Sequence, residues 1–125
     1  MAPDPSDEKA VRAYIAPQLA RVIGFAGEAR AVTYKGPIEN AEISGPVVKR
    51  NLYGTELPTW CVRYSIKLTP GSHGFFDRNT AYDFNWRKDE EGRWYAVRNP
   101  GGRCDTPYTP FPELERERAA ILPTS

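Results

Sequence analysis

The only histidine of the chain, His73, lies in a stretch whose residue types could do chemistry. Residues 70–79 form a ten-residue connection that also holds a serine, an aspartate and an arginine. General base catalysis needs a base within hydrogen-bond reach of its substrate and a third group that orients it. The spacing of His73 and Asp77 in a loop provides neither. We expect no catalytic residue and no metal site, because one histidine with scattered carboxylates is not a metal-binding pattern.

The same stretch has the composition of a recognition loop. Its length is unusual for a hairpin connection, and long ordered loops often carry function. Phe75 or Phe76 would be an apolar anchor, and His73 or Arg78 a polar contact. The alternative is that both phenylalanines cover the end of the core and His73 is a solvated turn residue. The predicted partner-binding residues of the loop are His73, Phe75, Phe76, Asp77 and Arg78.

Antiparallel strands must hold this loop. Apolar and polar residues alternate from Trp60 to Leu68, and successive side chains of a strand point to opposite faces. Residues 80–88 repeat the pattern. The side predicted to face the core carries Trp60, Val62, Tyr64, Ile66, Leu68, Tyr82, Phe84 and Trp86. The sequence therefore predicts a sheet with one buried and one polar face.

A turn of four residues, 89–92, is predicted to join the second of these strands to a third. Its glycine can adopt the positive φ that such turns require. Pairing the residues on either side of the turn places Trp86 opposite Tyr95 and Phe84 opposite Val97. All four side chains then lie on the buried face, so turn length and apolar pattern predict the same register.

In this register Trp94 lies on the polar face, near Arg63 and Arg87. An exposed tryptophan beside arginines has the composition of an interface anchor. The alternative is that the C-terminal segment covers Trp94. The polar face thus adds Trp94, Arg63 and Arg87 to the predicted partner-binding residues.

Cys61 and Cys104 are the only cysteines, a count compatible with one disulfide. Cys104 lies six residues beyond Arg98, where the third strand is predicted to end. Six residues span about 20 Å, which could just bring the chain back across the sheet. A bridge would pin the C-terminal segment there. The alternative is two unrelated thiols, with Cys61 on the polar face.

A helix is predicted before the sheet. Asp4 or Ser6 can cap it, and apolar residues recur at helical spacing after them. Pro17 lies within this pattern and removes one backbone hydrogen bond. We therefore expect a kink or a break near Tyr14.

The chain of 125 residues is expected to form a single domain. Residues 1–6 are predicted to be a flexible tether, residues 7–98 the helix plus antiparallel sheet, and residues 99–125 a Pro-rich arm with a short helix at 112–122. The predicted fold class is α+β. An N-terminal helix packs on a curved antiparallel sheet of four to five strands, and the C-terminal arm ends in the short helix.

Composition excludes some partners. The 17 basic and 16 acidic residues are interspersed, which argues against nucleic acid because phosphate binding needs a clustered basic excess. No apolar run approaches the roughly 18 residues of a membrane span. Residues 1–5 lack the features of a signal peptide, yet a polar, Pro-containing start resembles the tether left after export. A periplasmic or secreted location therefore stays as open as a cytoplasmic one.

One helix followed by antiparallel strands resembles the element order of cystatin-like and NTF2-like folds. The hairpin Trp-Arg-Lys-Asp-Glu-Glu-Gly-Arg-Trp at residues 86–94 is similar to the last hairpin of such domains. The Gln-x-Val-x-Gly loop of true cystatins is absent, so protease inhibition is not implied. An NTF2-like fold implies a pocket between helix and sheet, to which Tyr14, Tyr64 and Tyr82 could contribute hydroxyls. The alternative is that these tyrosines fill the core.

The sequence thus predicts a binding or assembly module that is not an enzyme, with a protein partner and no cofactor. The alternative is an NTF2-like small-ligand pocket or small enzyme, because fold alone does not select a function. A self-assembling structural subunit, and hence a homo-oligomer, is the third option.

Overall fold

The computed structural model describes residues 1–21, 36–67 and 78–122. The elements within these ranges are α1 Glu8–Ala20, β1 Ile38–Arg50, β2 Glu56–Ile66, β3 Arg78–Lys88, β4 Trp94–Pro100, β5 Thr109–Pro110 and α2 Pro112–Ile121. The strands form one antiparallel sheet in the order β4-β3-β2-β1-β5. This is the α+β architecture that the sequence predicts.

Helix α1 begins after Asp7, whose side chain accepts a hydrogen bond from the Ala10 N–H at 3.2 Å. Asp7 is therefore the N-cap, in place of the predicted Asp4 or Ser6. Pro17 lies inside the helix, which nevertheless runs on to Ala20, so the chain does not break near Tyr14. The buried side of α1, formed by Val11, Ile15, Ala16, Leu19 and Ala20, belongs to the core.

The first residues of the chain are held against the core. The indole N–H groups of Trp60 and Trp86 donate to the carbonyls of Pro5 and Pro3, each at 2.8 Å. The Ala2 N–H donates to a β4 carbonyl at 3.1 Å. The segment predicted to be a flexible tether instead satisfies two buried indoles, which would otherwise lack acceptors.

The alternation predicted for β2 and β3 is confirmed. The large apolar side chains of residues 60–66 and 82–86 share one face of the sheet, termed the helix face because residues of α1 and α2 pack against it, whereas Leu57 lies on the other face. The buried strand residues on this face are Trp60, Val62, Tyr64, Ile66, Tyr82, Phe84 and Trp86. Leu68 lies outside the described residues.

Strand β1 is one continuous strand with two interruptions of its pairing to β2. The register shifts between Glu39 and Glu42 and again between Ser44 and Val47. At the second shift Gly45 lies so close to β2 that a Cβ on it would be 2.9 Å from the Trp60 ring. The alternation of side chains along β1 therefore changes phase at this shift, so that Ile43 and Val48, five residues apart, both pair with helix-face residues of β2.

The arm crosses the opposite face of the sheet, termed the arm face. A disulfide joins Cys61 of β2 to Cys104 of the arm, with the two Cα atoms 5.8 Å apart. Thr106 accepts a hydrogen bond from the Ser44 hydroxyl through its carbonyl oxygen at 2.8 Å. The arm is thus pinned across the sheet, as the bridged alternative predicts.

Beyond the arm face the chain turns around the sheet edge and returns to the helix face as α2. Arg12 of α1 donates to the Pro110 carbonyl at 3.0 Å and to Glu113 at 3.3 Å. Arg118 of α2 is buried and donates to the carbonyls of Gly36 and Ala20, at 3.0 and 2.8 Å. Burial lowers the pKa of Arg118. These two arginines fasten the C-terminal helix to α1.

Candidate functional site

The turn between β3 and β4 decides which side chains each face presents. The Asp89 N–H donates to the Arg93 carbonyl at 2.9 Å, so the loop is residues 90–92 and has three residues rather than four. Gly92 has φ +79°, as expected after a type I turn in such a loop. The Asp89 carboxylate accepts the N–H groups of Arg93 and Glu91, each at 2.9 Å. These hydrogen bonds lower the pKa of Asp89.

The shorter loop moves the register of β4 by one residue. Trp86 lies opposite Ala96 rather than Tyr95, and Phe84 likewise lies opposite the residue after Val97. The predicted register is therefore wrong. Because side chains alternate along a strand, a shift of one residue exchanges the faces of all β4 side chains.

Trp94 consequently lies on the helix face, partly buried against the core, with the Lys88 Nζ 4.8 Å from its ring centroid. The prediction that it lies on the polar face is wrong. Tyr95, which is 42% exposed, takes that place on the arm face. Arg63 and Arg87 lie on the arm face, where the sequence puts them.

Arg87 and Tyr95 form a direct cross-strand pair. The Nε atom of Arg87 is buried and has no hydrogen-bond partner within the described residues. An unmade hydrogen bond of a buried donor costs free energy, and a movement of the Arg87 side chain that brings its Nε to an acceptor of another molecule would recover it. The exposed tyrosine beside it supplies apolar surface. The pair can therefore provide both a polar and an apolar contact.

A groove of about 690 Å³ lies on another part of the arm face. Strands β1, β2 and β3 form its floor, and the arm forms one wall. The polar residues that line it include Asn40, Arg63, Ser65, Asn79, Arg103 and Asp105. The groove thus contains amides, a hydroxyl and charges of both signs.

Arg63 is held in a defined orientation in this groove. Its Nε donates to the Glu42 carboxylate at 2.9 Å, and its Cζ lies 3.9 Å from the centroid of the Tyr108 ring. The Tyr108 hydroxyl in turn accepts the Cys104 N–H at 3.3 Å, next to the disulfide. An ion pair and a stacked ring together restrict a guanidinium more than either contact alone.

The arm lies close against β3 at Gly102. A Cβ at this position would overlap the Asp83 side chain. Asp83 belongs to the arm face, and the arm buries it. Its Oδ2 lies 3.5 Å from the Lys49 Nζ, and its Oδ1 has no hydrogen-bond partner in the described part of the chain.

The three tyrosines of the pocket alternative do not all meet. Tyr64 and Tyr82 stack on the helix face with ring centroids 6.4 Å apart, whereas Tyr14 packs edge-on against Trp86 at 6.1 Å. The Tyr64 hydroxyl is buried without a partner among the residues described. Burial raises the pKa of Tyr64, and the neighbouring Tyr82 adds to the shift. The raised pKa keeps the Tyr64 hydroxyl protonated at neutral pH.

The predicted recognition loop cannot be compared with the structure. His73, Phe75, Phe76 and Asp77 lie outside the described residues, and only the backbone of Arg78 is described, as the first residue of β3. Their binding role stays a prediction.

The turn between β1 and β2 carries an apolar feature that the sequence reasoning missed. Leu52 and Tyr53 are almost completely exposed. The Asn51 side chain accepts the N–H groups of Tyr53 and Thr55 at 2.9 and 3.0 Å and fixes the turn. The available signal was the pair of large apolar residues directly before Gly54, where turn residues are usually polar.

Comparison of the chain with family models, with curated proteins and with solved structures finds no match. Neither α1 nor α2 has the length and apolar composition of a membrane-spanning helix, within the ranges that the structure describes. In those ranges no three His, Cys, Asp or Glu side chains converge as metal ligands. The site must therefore be interpreted from its own geometry.

Proposed function

We propose that the protein is a non-enzymatic binding module that recognises a protein partner through the arm face of its sheet. The observation that carries the proposal is the pair of Arg87 and Tyr95. One is a guanidinium whose buried Nε has no hydrogen-bond partner among the described residues, and the other is an exposed aromatic ring directly across the strands. Arginine and tyrosine are enriched among the residues that contribute most to protein interfaces.

The rigidity of the surface supports this proposal. Both residues lie on paired strands, and β4 also receives a hydrogen bond from Ala2. Side chains held on an ordered sheet lose little freedom when they bind, which lowers the entropic cost of association. The half-buried Val97 lies on the same face and extends the apolar part of the surface.

The arrangement of the tyrosines supports a binding module over an enzyme. In the described part of the helix face, the space is filled by buried rings such as those of Trp60, Phe84 and Trp86. Tyr14 is directed at Trp86 and not at the other two tyrosines. The element order supports a cystatin-like or NTF2-like relationship, which is part of the proposal. Self-assembly through the arm face is its variant in which the partner is a second copy.

The proposal is tested by capture from the native source with immobilised protein, followed by mass spectrometry and calorimetry with the captured partner. We expect Tyr95→Ala and Arg87→Met to weaken the affinity at least tenfold, about 1.4 kcal/mol. Tyr53→Ala is the control, because it removes a tyrosine of the β1–β2 turn that is even more accessible than Tyr95.

Equal affinity of the wild type and the Tyr95→Ala variant would overturn the proposal. A loss of affinity in Tyr53→Ala alone would move the interface to the β1–β2 turn. All variants are first compared with the wild type by circular dichroism, so that a folding defect is not read as a binding defect.

A further inference from the structure

The groove beside the arm contains an arginine whose end is available for a ligand. The Glu42 carboxylate accepts the hydrogen bond that the Arg63 Nε donates, and the Tyr108 ring covers one face of the Arg63 guanidinium. Neither of its Nη groups has a hydrogen bond to any described residue, and the side chain is 52% exposed. Two Nη groups in a fixed plane match the two oxygens of a carboxylate.

The charge balance of the groove selects the kind of anion. Among the described residues, the charged ones that line the groove are Glu42, Arg63, Arg103 and Asp105, and their formal charges sum to zero. Glu42 already neutralises Arg63, and Asp105 lies two residues from Arg103 on the arm. A dianion such as phosphate would add two negative charges to a groove whose two arginines are already balanced by two carboxylates. A monoanionic carboxylate has half the repulsion and keeps the bidentate geometry.

The other polar groups of the groove suit a peptide backbone. Asn79 accepts a hydrogen bond from Ser65 through its Oδ1, which leaves its amide N–H groups as donors. Asn40 adds a second, exposed amide. The volume of about 690 Å³ is within the range of sites that hold small ligands, roughly 300–1,000 Å³. The groove therefore has room for a few residues of an extended chain.

From these observations we infer that the groove binds the carboxylate of an extended peptide, with Arg63 as the residue that holds it. Tyr108 and Glu42 position Arg63, and the amides of Asn40 and Asn79 contact the peptide backbone. The disulfide at Cys104 fixes the wall that carries Tyr108. This site differs from the Arg87–Tyr95 pair, and the inference does not depend on the proposed function.

The test uses three pools of N-acetylated tetrapeptides in NMR titrations of the full chain. One pool has a free C-terminal carboxylate, the second is amidated, and the third is amidated but carries an aspartate. We expect the backbone amides of Asn40, Ser65 and Asn79 to shift with the first or the third pool and not with the second. The pool that binds identifies the carboxylate as a chain terminus or a side chain.

Variants then assign the contact to Arg63. Arg63→Gln should weaken peptide binding at least tenfold, while Arg63→Lys, which keeps the charge without the planar fork, should have an intermediate affinity. Arg116→Gln removes an exposed arginine of α2 and should have no effect. Because Arg63 is half exposed, these variants should keep the wild-type fold, which the dispersion of the same NMR spectra verifies.

Three results would overturn the inference. The first is equal binding of the amidated pool, and the second is an absence of shifts in the groove with every pool. The third is tighter binding of inorganic phosphate than of the peptide carboxylates, since that would contradict the argument from charge balance.

Discussion

Burial of the Tyr64 hydroxyl affects how the stability of the protein depends on pH. The hydroxyl makes no hydrogen bond to the described residues, and burial raises the pKa of Tyr64 above the value of about 10 for an exposed tyrosine. The folded protein therefore holds this proton more tightly than the unfolded chain. The resulting stabilisation is fully present below pH 10 and is lost as the pH rises toward the folded-state pKa.

Replacement of Tyr64 by phenylalanine tests this account. We expect Tyr64→Phe to raise the free energy of unfolding by about 1 kcal/mol at pH 7, because it removes a buried hydroxyl that has no partner among the described residues. The decline of stability above pH 10 should be smaller than in the wild type. Urea unfolding between pH 7 and 11 measures both effects. Tyr53→Phe is the control, since Tyr53 is exposed. A marked destabilisation by Tyr64→Phe would show that the hydroxyl has a partner.

Among elements, the hairpin of β3 and β4 shows how a short turn determines a surface. The N–H group and the carboxylate of Asp89 form hydrogen bonds with the backbone of Arg93, and these close a loop of three residues. Trp94 is thereby directed to the core and Tyr95 to the arm face. Either loop length is compatible with the apolar pattern of β4, because tryptophan, tyrosine, alanine and valine occupy consecutive positions.

A pair of alanine variants distinguishes the two registers. Trp94→Ala should lower the free energy of unfolding by about 2 kcal/mol, because it removes a large, partly buried ring. Tyr95→Ala should cost less than about 1 kcal/mol, because the ring lies at the surface. Denaturant unfolding measures both. The reverse order of the two effects would support the register predicted from the sequence.

The sequence could predict β2 and β3 because their alternation is unbroken and one face of each is buried. It could not predict β1, where bulges near Asn40 and Gly45 move side chains from one face to the other. The faces of Arg63 and Arg87 were predictable for the same reason as β2 and β3. Tyr95 was missed because its face depends on hydrogen bonds of one aspartate in the turn.

On the scale of the whole molecule, both chain ends wrap the sheet. The N-terminal residues satisfy two indoles, and the arm crosses the opposite face before α2 returns to α1. These paths depend on contacts between residues far apart in the sequence, such as the Arg118 bonds to Gly36 and Ala20. The apolar periodicity of neighbouring residues does not report such long-range contacts. The sequence alone therefore could not locate the groove.

Removal of the disulfide tests how the arm is held. The cysteines are 43 residues apart, and the loop-entropy relation then gives a stabilisation of about 4 kcal/mol. We expect the double variant Cys61→Ala, Cys104→Ala to lose stability of that order and to exchange amide hydrogens faster at residues 101–108. Helix α2 should keep its protection, because Arg12 and Arg118 hold it independently. Unchanged stability and unchanged arm protection would contradict this role.

The central claim is that the arm face meets the partner, and site-specific photocross-linking in the native source tests it most directly. A photoreactive phenylalanine analogue replaces Tyr95 on the arm face in one variant and Tyr53 in the β1–β2 turn in another. The account predicts a covalent adduct with one protein from position 95 and none from position 53. Adducts from position 53 alone, or no adduct from position 95, would contradict it.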